Sequence, residues 1–479
     1  MKIMLIQPPV EDFYSTPSRT YPLGLLYLAA GPLKAGHDVR ILDAMAFGKS
    51  RVIPLPAHLK YLEPYYIPGD KSPYRLFSHF RHFGLSYDEI EASVRAFSPD
   101  VIGISSLFSA YHSSAIETAK RARRAAPLAR LVMGGGHITA TREKPEGVDA
   151  IICGEGEEPW MAYLGLSLSP GPLLPARELI NPLHYQIQGR PGAFLLTSRG
   201  CPYGCEFCSV ALTFPKHTVR EPREVLQEIR DGYDRFGIRH FDIEDDNFGL
   251  ARESALAVLK GVVALKRPIT LSAMNGLSAE VLDTELLEWM RRAGFGWLDL
   301  SAVSVHPASL RHLNRPFGPA AFTETVRRAT ALGFPVTAYF ILGLPEETLE
   351  EMVDTLAFLF SLPVKIAPSL FYPVPGTLSY DTCAQKGLLP VKHYDLCRLT
   401  AAAVETDHFN RLDLFTLFRY CRLLNLFKEE VNGKENAAAL SDFRETEKLY
   451  HYLKKGRYEV MVSERVMGLL RERFSALLM

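Results

Sequence analysis

Over the first 165 residues, short apolar runs alternate with amphipathic stretches. Lys2–Ile6 reads as a strand, Pro22–Ala35 as a helix stopped by Gly36, and Asp38–Leu42 as a second strand followed by Asp43. Further on, the pattern predicts helices over 88–97 and 112–125, strands over 100–105, 130–133 and 149–152, and a short helix from about 157. Apolar strands joined by helices on short connections predict an open parallel sheet with helices on both faces, a doubly wound, Rossmann-like α/β domain over 1–165. Residues 44–86 break the rhythm. They are rich in Pro, Tyr, Phe and His and too long for an idle connection, so they read as a functional or capping insertion.

Residues 166–192 are Pro-rich and read as a linker. Strand–helix units then resume, with strands near 194–198, 239–244, 268–274, 297–303, 335–341 and 366–372. One intervening helix starts at Pro222, another ends at Gly294, and a third, over 320–332, ends at Gly333. Six βα units in series over 193–384 predict a partial barrel, with its chemistry at the carboxyl ends of the strands. From 385 to 479 the pattern is helical and amphipathic, clearest over 410–429 and 442–455.

The chain has 479 residues, 47% apolar and 23% charged, with 54 basic and 54 acidic side chains. Such a balance fits a soluble globular protein of two or three domains. No overall field draws it to nucleic acid or to an anionic membrane. The opening apolar run is too short for a signal peptide, and no window approaches the ~20 apolar residues of a membrane span. A cytoplasmic, reducing setting is therefore expected, and seven cysteines, an odd number, argue against a disulfide framework.

Three of those cysteines fall within eight residues. Ser198-Arg199-Gly200-Cys201-Pro202-Tyr203-Gly204-Cys205-Glu206-Phe207-Cys208 follows directly on an apolar strand. Thiolates at this spacing can wrap a small iron–sulfur cluster from one loop. A four-iron cube held by three cysteines keeps one iron open, and an open position separates a reactive metal site from a structural one. The bland alternatives are zinc, for which His217 is the nearby fourth ligand, or unligated thiols. Cys153, Cys383, Cys397 and Cys421 lack ligand spacing and read as packing residues.

Cysteines spaced CxxxCxxC after the first strand of a βα series, with aromatic Phe207 before the last, resemble the radical S-adenosylmethionine (SAM) superfamily. The resemblance implies a 4Fe–4S cluster on Cys201, Cys205 and Cys208, with SAM on the open iron and cleaved to a 5′-deoxyadenosyl radical. It also implies a reductant of the flavodoxin or ferredoxin type. Tyr203 and Phe207 would flank these cofactors, and Asp245, Asp246 and Asn247, after the second barrel strand, would place polar groups against the SAM amino acid moiety. Gly343-Leu344-Pro345-Glu346-Glu347-Thr348 resembles the family's Gly-x-Pro-x-x-Thr turn, which sets Gly343 and Pro345 near adenine. Tyr372–Thr377 resembles the turn closing the sixth strand. The chain departs from the pattern at Val303-Ser304, where relatives often read Glu-Ser.

Glycine-rich turns close two strands of the N-terminal domain, Met133-Gly134-Gly135-Gly136-His137 and Cys153-Gly154-Glu155-Gly156-Glu157. Glycines at the carboxyl edge of a parallel sheet let backbone approach a large ligand closely. Together with Ser105-Ser106 and Tyr21–Leu25, they resemble the cobalamin-binding domain fused to many radical SAM enzymes. No Asp-x-His-x-x-Gly segment is present. The resemblance therefore implies cobalamin without a protein histidine on cobalt, and His137 near the nucleotide tail.

What this architecture implies first is a radical SAM methyltransferase that transfers methyl from methylcobalamin to an unactivated carbon, or a phosphinate, of a small molecule. A cobalamin-dependent oxidative cyclase or rearrangement enzyme shares every motif. A methylthiotransferase would carry three N-terminal cysteines, and only Cys153 lies there. A corrinoid carrier or cluster-based redox protein is the non-enzymatic reading, and the intact triad with its SAM-like turns argues against it.

Overall fold

The computed structural model describes residues 1–66, 76, 78–167, 173–315, 318–389, 393–432 and 462–478; the helix expected over 442–455 lies outside them. The chain opens with β1 (Lys2–Gln7) and the short β2 (Val10–Asp12). Then come β3 (Asp38–Asp43), β4 (Ser50–Val52), β5 (Arg81–Phe83), β6 (Val101–Ser105), β7 (Arg130–Gly134) and β8 (Ala150–Ile152).

Five of these strands pair in the order β3-β1-β6-β7-β8, all parallel. Successive side chains of β1 enter opposite cores, Ile3 and Leu5 on one face and Met4 and Ile6 on the other. Burial on both faces explains why such strands read as unbroken apolar runs. Strand order reverses between β1 and β6, and such a switch point leaves a crevice outside the carboxyl ends.

The insertion supplies β4 and β5, which join β2 in a small antiparallel sheet. Leu59, Leu62, Tyr66 and Phe80 bury themselves in the same core as the second half of the molecule. Tyr61 Oη donates to the Ala401 carbonyl at 2.7 Å, and Tyr66 Oη to that of Thr400, so the insertion caps the C-terminal region.

The connection expected as a linker is packed where it is described. Arg177 is 3% exposed, donates to Glu228 Oε1 at 2.5 Å and to the Phe194 carbonyl at 2.5 Å, and reaches Tyr21 Oη. After it come β9 (Gln186–Ile187), β10 (Arg190–Leu195), β11 (Ser198–Arg199), β12 (Thr218–Val219), β13 (His240–Ile243) and β14 (Thr270–Ser272). The series ends with β15 (Leu277–Ser278), β16 (Leu298–Val303), β17 (Val336–Leu342) and β18 (Lys365–Leu370). The sheets β14-β13-β10-β9 and β15-β16-β17-β18 form the partial barrel, bridged by Leu271 and Phe295. Its third strand is split, β14 pairing with β13 and β15 with β16.

Along β13, Phe241 and Ile243 join the apolar core while His240 and Asp242 alternate to the other, interior face. There His240 bonds Thr270 Oγ1 at 2.7 Å and Ser272 Oγ at 2.8 Å, and Ser272 donates to Asp242 at 2.5 Å. The barrel lumen is therefore polar, and its hydrogen bonds are made. The helix Arg411–Asn432 lies along β18, and the helix Glu464–Leu478 packs on Leu349–Ser361. Among the described residues no helix is long and apolar enough to cross a membrane.

Candidate active site

The cysteine loop leaves the barrel after β10 and closes on a two-residue antiparallel pairing of β11 with β12. Gly200 makes the entry possible. Its φ is +82°, and a Cβ there would collide with the Lys216 carbonyl. The Cys208 amide donates to the Cys205 carbonyl at 3.0 Å, turning the loop back on itself. Two carboxylates fasten the base. Asp245, 3% exposed, accepts from the Thr197 amide at 2.6 Å, from Ser198 Oγ at 2.7 Å and from Thr197 Oγ1. Asp246 accepts from the Gly200 amide at 2.8 Å. Asn247 points its amide nitrogen at Cys201 Sγ, 4.0 Å away.

All seven cysteines are free. Desolvation raises the Cys205 thiol and lifts that of Cys208, whose residue is otherwise exposed, to about 11, so metal binding at these two would displace a proton. The three sulfurs do not all come within 4.8 Å of one another, the closeness expected around a single ion. A cluster, which spreads its thiolates over several irons, fits this donor set better than zinc.

Beside the flanks of the loop, at Arg199 and Phe214, lies a cavity of about 530 Å³. One wall is the carboxyl edge of the N-terminal sheet, with Gln7, Ser105, Ser106, Gly134, Gly135 and Gly154. The opposite wall is the barrel mouth, with Phe194, Leu196, Arg199, Phe214 and Glu244. Leu107 and Phe108, 56% and 58% exposed, line it too, apolar surface that calls for a large, partly apolar ligand. A Cβ on Gly24 would meet nothing within 4 Å, so a side chain there would project into open space.

Two arginines cross the junction. Arg199, two residues before Cys201, donates to Glu157 at 2.5 Å and to Glu155 at 3.1 Å, and its guanidinium lies over the Tyr27 ring. Arg19 reaches from the N-terminal half to Asp242 at 3.1 Å, to both oxygens of Glu244 at 2.7 and 3.2 Å, and to Asn275 at 2.5 Å. Burial, then the neighbouring Asp242, holds the Glu244 carboxyl well above the usual carboxylate range despite Arg19.

Residues 195–359 match the Radical SAM superfamily, and residues 77–164 match the B12 binding domain. The chain is a cobalamin-dependent radical SAM enzyme. Two curated relatives align with most of its length. It is 26% identical over 461 residues to an uncharacterized methyltransferase of Pyrococcus horikoshii, covering 88% of this chain and 91% of that protein. It is 27% identical over 465 residues to the cytidylyl-2-hydroxyethylphosphonate methyltransferase of Streptomyces wedmorensis, covering 81% and 82%. The fold is that of the cobalamin-dependent SAM radical enzyme OxsB, solved with aqua-cobalamin and SAM, at a TM-score of 0.60 and 14% identity over 100% of this chain and 75% of that one.

Within the enzyme, the expected contact residues separate into groups. Ser105, Ser106, Gly134, Gly135, Gly154, Glu155, Gly156 and Glu157 all line the cavity. Gly136 and His137 do not. His137 is 1% exposed, with Nδ1 on Ser109 Oγ at 2.9 Å and its ring between His112 and Tyr394. It packs beneath the glycine loop, with its buried Nε2 left without a hydrogen-bond partner among the described residues. Asp245 spends both oxygens on Thr197 and Ser198 at the base of the cysteine loop, so it is not presented to the SAM amino group, while Asp246 gives one oxygen to the Gly200 amide. Gly343 (φ +83°) donates its amide to Glu347 at 3.1 Å, and Pro345 lines a smaller cavity with Glu206 and Glu347. Tyr203 and Phe207 are half-buried in the loop itself. Arg19, Arg199 and Gly200 carry no motif of their own, and each is legible only from what it touches.

Proposed function

We propose that the enzyme is a methyltransferase acting on an unactivated carbon, or on a phosphinate phosphorus, of a small molecule. The cavity carries this reading, because its two walls set the cobalamin edge of one sheet against the mouth of the barrel that bears the cysteine loop. A ligand on the glycine turns and a substrate in the lumen would meet face to face. The methyltransferase names of the two long-aligning relatives support the same conclusion.

When bound, the cluster with SAM supplies a hydrogen-abstracting radical and cobalamin supplies a methyl group. The chain's own part is placement and exclusion. Cys201, Cys205 and Cys208 hold the cluster; Ser105, Gly134, Gly135, Gly154 and Gly156 bring backbone against the corrinoid. Arg199 locks the cysteine loop to the cobalamin domain through Glu155 and Glu157. Arg19 fixes Asp242, Glu244 and Asn275 at the lumen's entrance. Leu107, Phe108, Phe194 and Phe214 keep water from the reacting centre. An electron donor of the flavodoxin or ferredoxin type and a cytoplasmic setting complete the proposal.

A methyltransferase consumes one SAM as methyl donor and one as radical source. With substrate present, S-adenosylhomocysteine and 5′-deoxyadenosine should accumulate near one to one, and methyl-deuterated SAM should label the product. Unlabelled product with 5′-deoxyadenosine alone would replace methylation with cyclisation or rearrangement.

A further inference from the structure

Two opposite charges stand at the barrel mouth outside the large cavity. Glu280 sits in the turn Ala279–Val281, directly after β15, and Arg315 follows the helix Pro307–His312, which comes after β16. They therefore occupy the carboxyl ends of the third and fourth barrel strands. Thr325 Oγ1 donates to the Ala279 carbonyl at 2.8 Å and pins the first of these turns. Asn314 Nδ2 donates to the Gly204 carbonyl at 3.2 Å, which ties the approach to Arg315 to the cysteine loop.

Both side chains act on the same two residues of that loop. Burial raises the Cys205 thiol; Arg315 draws it back down, and Glu280 more weakly pushes it up. The Tyr203 phenol is raised by burial and then by Glu280, against Arg315. A carboxylate and a guanidinium thus face Tyr203 and Cys205 from neighbouring strand ends.

Each also keeps an atom unspent. Glu280 Oε1 and Arg315 Nε are buried with no hydrogen-bond partner among the described residues, so neither satisfies the other. Glu280 is steadied by Ser278 and by its own amide, which leaves Oε1 over. Buried charged groups are normally held by partners. Two of opposite sign, side by side against a cluster cysteine, fit a guest that carries both charges itself. The expected alternatives are taken. Asp245 is consumed by Thr197 and Ser198, and Val303, where relatives often read Glu, is 4% exposed in the apolar core. The end of the fourth strand offers no carboxylate there, and Glu280 supplies one from the strand paired beside it.

We propose that Glu280 and Arg315 clamp the amino acid end of SAM, Glu280 accepting from its amino group and Arg315 donating to its carboxylate. A guanidinium fork matches a carboxylate, and a carboxylate takes charge-assisted bonds from an amine. The clamp selects a ligand that carries both groups and sets it against the cysteine loop, whatever becomes of the methyl group afterwards.

The test is equilibrium dialysis of enzyme loaded with cluster and cobalamin against SAM and two analogues, with iron counted per chain as the control for folding. One analogue is decarboxylated SAM; the other has hydrogen in place of the amino group. Arg315→Met should weaken SAM about tenfold or more and leave decarboxylated SAM unchanged. Glu280→Gln should weaken SAM several-fold and leave the deaminated analogue unchanged. Equal losses for SAM and the matching analogue, or no loss, overturn the clamp. Selectivity for the amino group that vanishes in Asp246→Asn and survives in Glu280→Gln moves that contact to the second strand and overturns Glu280. If Arg315→Met sheds its iron, Arg315→Lys takes its place, because it keeps the charge and loses the fork. It should loosen SAM several-fold and decarboxylated SAM not at all; equal loosening sinks the assignment.

Discussion

Asp245 shows how a strand-end carboxylate can serve structure where a motif suggests a cofactor contact. Its oxygens satisfy one amide and two hydroxyls from Thr197 and Ser198. Asp245→Ala would leave those donors buried without acceptors, at about 1–3 kcal/mol each. Iron and sulfide retained per chain should fall sharply in Asp245→Ala and less in Asp245→Asn, which keeps one acceptor. Cys397→Ala is the control: burial pushes that thiol up to about 12, so it is inert packing, and iron content should not change. His137 makes a pH prediction. Burial, then His112, lowers its imidazole to about 3, against roughly 6.5 in an unfolded chain. Between those values the unfolded chain takes up a proton that the folded one refuses, so its contribution is intact above 6.5 and lost on acidification. Each unit below 6.5 costs about 1.4 kcal/mol. Melting curves at pH 7 and 5 should differ less for His137→Gln than for wild type. The cysteines were legible from their spacing alone. The direction of Asp245 was not, because its partners lie 47 and 48 residues away in sequence and nothing local aims the side chain.

At the scale of elements, most strands with a clear apolar run were found where the pattern put them, but the first barrel strand, expected near 194–198, spans Arg190–Leu195, and the other misses are the short ones. β11 and β12 are two residues each, too brief for any period, yet they form the base of the cysteine loop. The split of the third barrel strand into β14 and β15 was equally silent. So was the finish of the barrel's last edge. β18 pairs on one side with β17, and on its other side Asn425 imitates a neighbouring strand, accepting from the Ile366 amide at 2.8 Å and donating to its carbonyl at 2.7 Å. Asn425→Leu would strand both groups, lowering stability by about 2–3 kcal/mol, and would leave the edge able to pair with another chain. Chemical denaturation and light scattering after mild heating would register the two effects; unchanged scattering would mean that the helix Arg411–Asn432 covers the edge without help from its asparagine.

For the molecule as a whole, the two halves share an apolar core, in which Tyr21, Leu26, Leu59 and Tyr66 pack with the barrel, and they meet also through charged clasps and across a large cavity. Arg199→Met should detach the cysteine loop from Glu155 and Glu157. Cobalamin retention on gel filtration should then drop several-fold while iron stays bound, since the arginine touches the loop and not the thiols. No sequence pattern could announce this, because a contact between halves is a property of their docking. The cavity has a consequence of its own. Its walls belong to both halves, so a corrinoid inside binds the docked arrangement and neither half alone. By mass action, an occupant at a hundred times its dissociation constant stabilises that arrangement by about 2.7 kcal/mol. Calorimetry should then show a transition whose midpoint climbs with the concentration of added cobalamin. The vitamin would be a mortar as much as a reagent, and its scarcity in a cell would cut the amount of enzyme before it slowed any turnover.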